Sequence, residues 1–143
     1  MTTENKYVLA IDQGTTSSRT ILFTHAGQNA ASGQLEHAQI FPHAGWVEHD
    51  PVEIWNNVRQ TVGIALANAQ ANKEDIVAVG ITNQSENTII WVRKTGEPVY
   101  NAIVWQDTRS QDIVDRLAAD GGPDRFRPIV GETLSAYASI TKI

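Results

Sequence analysis

The chain has 143 residues, no cysteine, and 11 Lys+Arg against 16 Asp+Glu for a formal net charge of -5, enough length for one domain with a real core. The acidic balance, with a sequence pI of about 5.2 and no basic cluster, argues against nucleic acid or an anionic membrane as the main partner. Without cysteine there is no disulfide, thiolate metal site or thiol nucleophile, and the polar start Met1-Thr2-Thr3-Glu4-Asn5-Lys6 lacks a signal-peptide core, so a cytoplasmic protein is expected.

Tyr7-Val8-Leu9-Ala10-Ile11 is a nearly all-apolar run and reads as a strand buried on both faces. Further strands are expected over 19–24 and 30–40, with His25-Ala26-Gly27-Gln28 turning between them. The three would form an antiparallel meander. The turn after the first strand opens with Asp12 and Gly14, then runs Thr15-Thr16-Ser17-Ser18. Gly14 lets the backbone approach a ligand closely. Successive N–H groups in such a turn form a concave anion site, and the hydroxyls add neutral donors. Asp12 can hold Mg²⁺ through its waters, because Mg²⁺ gives up hydration reluctantly. An ordinary hairpin turn explains the same pattern. Neither G-x-G-x-x-G nor G-x-x-x-x-G-K-[ST] is present.

After a loop at Pro42–Trp46, Asp50 reads as a helix N-cap, Pro51 as the first helical residue, and Glu53 as the partner in a capping box. Ile54, Trp55, Val58, Val62, Ala65, Leu66 and Ala69 recur at helical spacing, carrying the helix to about Asn72. Ile76–Ile81 reads as a buried strand, parallel to its neighbour because a helix precedes it. The polar stretch Thr82–Asn87 then lies at that strand's C-terminal end, where open α/β sheets bind ligands. Thr88–Val92 reads as another strand, turned by Lys94–Pro98, and Ala102–Trp105 as a short apolar run. A helix is expected over 110–119, broken by Gly121-Gly122-Pro123, and the last residues read as a further helix. The histidines at 25, 37, 43 and 49 lack metal-like spacing and read as loop or surface residues. Trp46, Trp55 and Trp91 read as core or interface residues, and Asp107 with Arg109 as a local ion pair.

Four segments converge: D-Q-G-T-T-S-S-R at 12–19, G-W-V-E-H-D-P-V-E-I-W at 45–55, G-I-T-N-Q-S-E-N-T at 80–88 and Y-N-A-I-V-W-Q-D-T-R at 100–109. Together they closely resemble the N-terminal part of the FGGY carbohydrate kinases, in the branch that phosphorylates glycerol. The resemblance implies an α/β, actin-like ATPase and ribonuclease H-like fold, with a mixed sheet opening on a three-strand meander. Residues 1–143 would be the N-terminal part of the first domain, on its substrate and phosphate side, with the remainder of that domain and the nucleotide-binding second domain absent. It implies ATP and Mg²⁺ as cofactors, glycerol and ATP as small-molecule partners, a homo-oligomeric full-length form, and no nucleic acid or membrane partner.

Residue by residue, the resemblance assigns phosphate contact to Thr15, Thr16 and Ser17, a phosphate-facing guanidinium to Arg19, and Mg²⁺ to Asp12. It assigns polyol contact to Glu86, Trp105 and Tyr137. Ser85 stands where the family carries an arginine, Asn87 where it usually has threonine, Ala138 in place of phenylalanine and Ile140 in place of a small residue. The nucleotide hairpin matches throughout, so the departures fall in the polyol half. They fit a different polyol or sugar, an impaired site, or a peculiarity of this chain. Without the cation at 85, the Glu86 carboxyl is expected to titrate higher. The family's general base is an aspartate well beyond position 143, so no catalytic residue is assigned and the chain alone is expected to be inactive. The alternative from another class is a non-catalytic nucleotide-binding module of the actin-like superfamily.

Overall fold

The computed structural model describes residues 6–143. In chain order the strands are β1 (Tyr7–Gln13), β2 (Ser17–Phe23), β3 (Asn29–Glu36), β4 (Glu48–His49), β5 (Ile76–Asn83) and β6 (Ala102–Ile103). The helices are α1 (Pro51–Asn68), α2 (Gln111–Ala118) and the single turn α3 (Arg127–Val130). The chain divides into two compact units. One holds the residues up to Ala38 together with Val52–Gln84, and the other holds Gln39–Pro51 together with Ser85–Ile143. Among the described residues no helix is long and apolar enough to cross a membrane.

The first unit is a four-stranded mixed sheet in the order β3-β2-β1-β5. β1–β2 and β2–β3 are antiparallel, as the expected meander requires, and β5 runs parallel to β1. Strand alternation sends Tyr7, Leu9, Ser18, Thr20 and Leu22 to one face, where they are buried. There Tyr7, Leu9 and Leu22 meet Ala65 of α1, with Ile11, Val62 and Leu66 packed around them. Each such leucine contributes about 1.5–3 kcal/mol through burial. Thr20 and Thr61 share a hydrogen bond of 2.9 Å across that layer.

Helix and sheet come unusually close at Gly33. A Cβ there would lie 2.6 Å from the Thr61 carbonyl oxygen and 2.8 Å from the Ile64 Cβ. The opposite face carries Asp12 and Arg19, side by side in the β1–β2 register and exposed. β1 is therefore buried on one face only, contrary to the two-sided burial expected from its apolar run.

α1 ends at Asn68, not near Asn72. Gln70 takes φ 51°, the Gln70 N–H donates to the Ala67 carbonyl, and the Ala71 N–H donates to the Leu66 carbonyl. This is a Schellman stop with glutamine in the seat glycine usually takes. At the other end, the Glu53 carboxylate accepts from the Ala38 N–H at 3.2 Å. This ties the start of α1 to the chain leaving β3.

Two burial expectations fail for tertiary reasons. α1 buries Asn57, Thr61 and Ala65 against β1, β2 and β3, and Trp55, off that line, is 61% exposed despite its helical spacing. β5 sits at the sheet edge, where Ile76 packs against the core but Ile81 is 73% exposed instead of buried.

In the second unit β4 pairs antiparallel with β6, Glu48 opposite Ile103 and His49 opposite Ala102. The expected strand at 88–92 is reduced to single bridges, Thr88 with Ile103 and Trp91 with Pro98. Ala102, Val104, Val114 and Ala136 are buried. The chain closes in a 3₁₀ turn, Ser139–Lys142, tied to the start of α2 by a buried 2.8 Å hydrogen bond between Ser110 and Thr141 hydroxyls.

Two histidines expected at the surface are buried. His49 donates from Nε2 to Gln39 Oε1 at 2.8 Å, and His37 is 6% exposed.

Candidate active site

The first unit supplies the hairpin tip. Its residues 14–17 are closed by a 2.9 Å bond from the Gly14 N–H to the Ser17 carbonyl. His37 fixes the orientation of the tip. Its Nε2 donates to the Thr15 carbonyl at 3.0 Å, and its N–H donates to the Thr16 carbonyl at 3.2 Å. In a trans peptide the N–H points opposite to the preceding carbonyl. The N–H groups of Thr16 and Ser17 therefore both point away from residue 37, which is the arrangement an anion cradle needs. In the sequence His37 reads only as a loop or surface residue; a lone histidine after a strand carries no local signal of this role.

Arg19 is not free to swing. Its Nε donates to Gln34 Oε1 at 2.9 Å, and Gln34 Nε2 donates to Ser17 Oγ at 3.0 Å. Arg19 and Ser17 are thus joined through one amide on β3. Asp12 lies in the same cross-sheet row, opposite Arg19 on one side and Thr82 on the other. Among the described residues no group of three acidic or histidine side chains could hold a metal. One exposed carboxylate beside hydroxyls fits Mg²⁺, which keeps most of its waters and takes its other ligands from phosphates.

The second unit holds the positions that the resemblance assigns to the polyol. The rings of Trp105 and Tyr137 meet edge to face with centroids 5.9 Å apart. The Trp105 main-chain N–H donates to Asn87 Oδ1 at 2.9 Å, so the asparagine that departs from the family pattern supports the backbone at the tryptophan. Glu86 Oε2 accepts from the Ser139 N–H at 2.6 Å and the Ser139 hydroxyl at 2.8 Å. These bonds, the backbone one first, hold its carboxyl below the ordinary value, against a smaller opposing effect of burial. The expected upward shift is therefore corrected: Ser139 takes the place of the missing cation.

Ser85 and Glu86 are both left-handed, with φ 55° and 53°, which costs roughly 1–2 kcal/mol for each non-glycine residue. Glu86 also borders a cavity of about 610 Å³, lined by Leu117, Phe126, Val130, Ala138 and Ile140 among others. Two of the departures from the family pattern, Ala138 and Ile140, thus face the same space.

A buried ionic network stands behind β4 and β6. Arg109 Nη2 lies 2.7 Å from Glu48 Oε1 and 2.8 Å from Asp107 Oδ2. The Val47 N–H donates to Asp107, and Tyr100 and Asn101 donate to Glu48. The guanidinium also stacks 3.8 Å from the Trp46 ring centroid. Burial works to raise both carboxyls, but these donors outweigh it and leave both lowered. The expected Asp107–Arg109 pair is present and extends to Glu48, which sequence spacing gave no means of seeing.

Comparison with known proteins matches residues 7–143 to the N-terminal domain of the FGGY family of carbohydrate kinases. The chain is 64% identical over 138 residues to a glycerol kinase of Clavibacter michiganensis, covering 96% of the chain and 27% of that protein. It is 63% identical to one of Paenarthrobacter aurescens, covering 97% and 28%. Among solved structures, the glycerol kinase of Plasmodium falciparum with ADP superimposes with a TM-score of 0.86 at 34% identity, over 96% of this chain and 28% of that one. A gluconate kinase of Lactobacillus acidophilus gives the same TM-score at 25% identity, over 96% and 27%. The chain spans little more than a quarter of the length of these relatives.

Proposed function

The chain belongs to the FGGY family of carbohydrate kinases, and on that premise we propose that it is the N-terminal part of a glycerol kinase. The reaction moves the γ-phosphoryl of ATP to a primary hydroxyl of glycerol. A P–O bond forms to the glycerol oxygen, the bond to the β–γ bridging oxygen breaks, and ADP leaves. The hydroxyl proton passes to a base outside this chain. Catalysis of this kind is mainly positioning and charge stabilisation.

The hairpin amides of Thr16 and Ser17, with the hydroxyls of Thr15, Thr16 and Ser17, receive phosphate oxygens. Arg19, steadied by Gln34, faces the same anion. Asp12 would hold Mg²⁺, and the ion would supply neutralisation of phosphate charge. Glu86 accepts from glycerol hydroxyls, its Oε1 lying outside the two bonds that Ser139 makes to Oε2. Trp105 packs on the carbon skeleton and Tyr137 closes the edge.

The observation that carries this reading is that the Trp105 and Tyr137 rings meet edge to face while Lys142 Nζ joins the Tyr137 carbonyl to that of Glu86, linking three distant points of the chain within one unit. The test is kinetics on the full-length protein with Glu86→Gln. The glycerol KM should rise about tenfold or more, as expected when a charged hydrogen-bond acceptor is lost, while the ATP KM stays put. A second reading, a sugar or longer polyol as acceptor, is favoured by Ser85 and by the cavity beside Ala138 and Ile140. A panel of polyols and sugars separates the two, since any acceptor turned over better than glycerol replaces the first reading. Nucleotide binding with no acceptor phosphorylated favours a non-catalytic module.

A further inference from the structure

Two successive non-glycine residues in the left-handed region, Ser85 and Glu86, need support from elsewhere in the structure. For Glu86 that support comes from one short turn. Ser139 donates twice to the carboxylate, from N–H and from Oγ, at 2.6 and 2.8 Å. Lys142 Nζ donates to the Glu86 carbonyl at 3.3 Å and to the Tyr137 carbonyl at 2.6 Å. A single ammonium group therefore joins the main chains of two residues assigned to the acceptor. Lys142 is 9% exposed, and the turn is pinned to α2 through the Thr141–Ser110 bond.

We infer that Ser139 and Lys142 are positioning residues for the acceptor site: they hold Glu86 in its left-handed conformation, aim its carboxylate, and fix its spacing from Tyr137 without touching the acceptor. The inference rests on the glycerol-site reading of Glu86. Ser139 also keeps that carboxylate ionised to lower pH.

The test compares Ser139→Ala, Ser139→Thr, Lys142→Met and Glu86→Gln in the full-length protein. Ser139→Ala should raise the glycerol KM roughly tenfold, as for loss of a bond to a charged group. kcat and the ATP KM should stay within about twofold. The acid limb of kcat/KM for glycerol should move to higher pH, and Ser139→Thr should restore both the KM and the limb. Lys142→Met, checked by thermal melting, should raise the glycerol KM as well; if it does not fold, the Ser139 pair decides alone. If Glu86→Gln raises the glycerol KM but Ser139→Ala moves neither the KM nor the acid limb, the inference is overturned and the site reading stands. If Glu86→Gln itself leaves the glycerol KM unchanged, the site reading falls and the inference falls with it.

Discussion

A serine hydroxyl donates one hydrogen bond, whereas a guanidinium presents a planar fork of donors that can span two neighbouring hydroxyls. On the proposed acceptor site, position 85 is where that difference would act. In the full-length protein, Ser85→Arg should lower the glycerol KM by about one to two orders of magnitude, the worth of roughly 1–3 kcal/mol in lost bonds. If the serine form already phosphorylates glycerol efficiently, the departure at 85 does not weaken the site. The ionic network gives a second prediction at this scale. Asp107 is buried and Arg109 largely so, so Asp107→Asn leaves a buried guanidinium short of a partner and should cost about 3 kcal/mol in urea unfolding. The folded carboxyls of Glu48 and Asp107 lie below their ordinary values. Their contribution is therefore complete above the unfolded pKa of about 4 and fades as pH falls through the lower folded values. Asp107→Asn should flatten that acid dependence.

Elements were legible wherever the signal was local. The hairpin, its glycine and hydroxyls, the meander and the Pro51 helix start all follow from neighbouring residues. What failed depends on which surface another element covers. The apolar run in β5 has the composition of a buried strand, yet the sheet order leaves it at an edge, where only Ile76 reaches the core under α1. Buried His37 and His49 are set by partners that are distant in the chain or contributed by the main chain. Ser85 and Glu86 are not residue types that announce a left-handed backbone, and Ser139 lies far along the sequence from the carboxylate it holds. Gly33, by contrast, has a necessity visible only in three dimensions. Gly33→Ala would press a methyl onto the Thr61 carbonyl and the Ile64 Cβ, and should destabilise the protein by about 1–3 kcal/mol, read as a lower melting temperature. An unchanged melting temperature would mean that α1 is free to move off the sheet.

At the scale of the whole molecule, family membership was readable because four motifs recur in order between residues 12 and 109, and motifs keep their meaning whatever the packing around them. The substrate was less readable, because the departures at 85, 87, 138 and 140 all fall in the segments that the resemblance assigns to the acceptor. The chain spans 27–28% of the length of its glycerol kinase relatives, and we expect these 143 residues alone to release no ADP above background in a coupled assay with glycerol and ATP. Measurable turnover would mean that a base lies within them.

The edge strand β5 has one more consequence, for handling rather than catalysis. Its main chain bonds to β1 on one side, and among the described residues no strand pairs with its other side. Val77, Val79 and Ile81 stand exposed along it. Such an edge is a template on which another polypeptide can crystallise a strand of its own. A preparation of this chain should therefore turn cloudy as it is concentrated, and a lysine placed at Val79 should keep it clear.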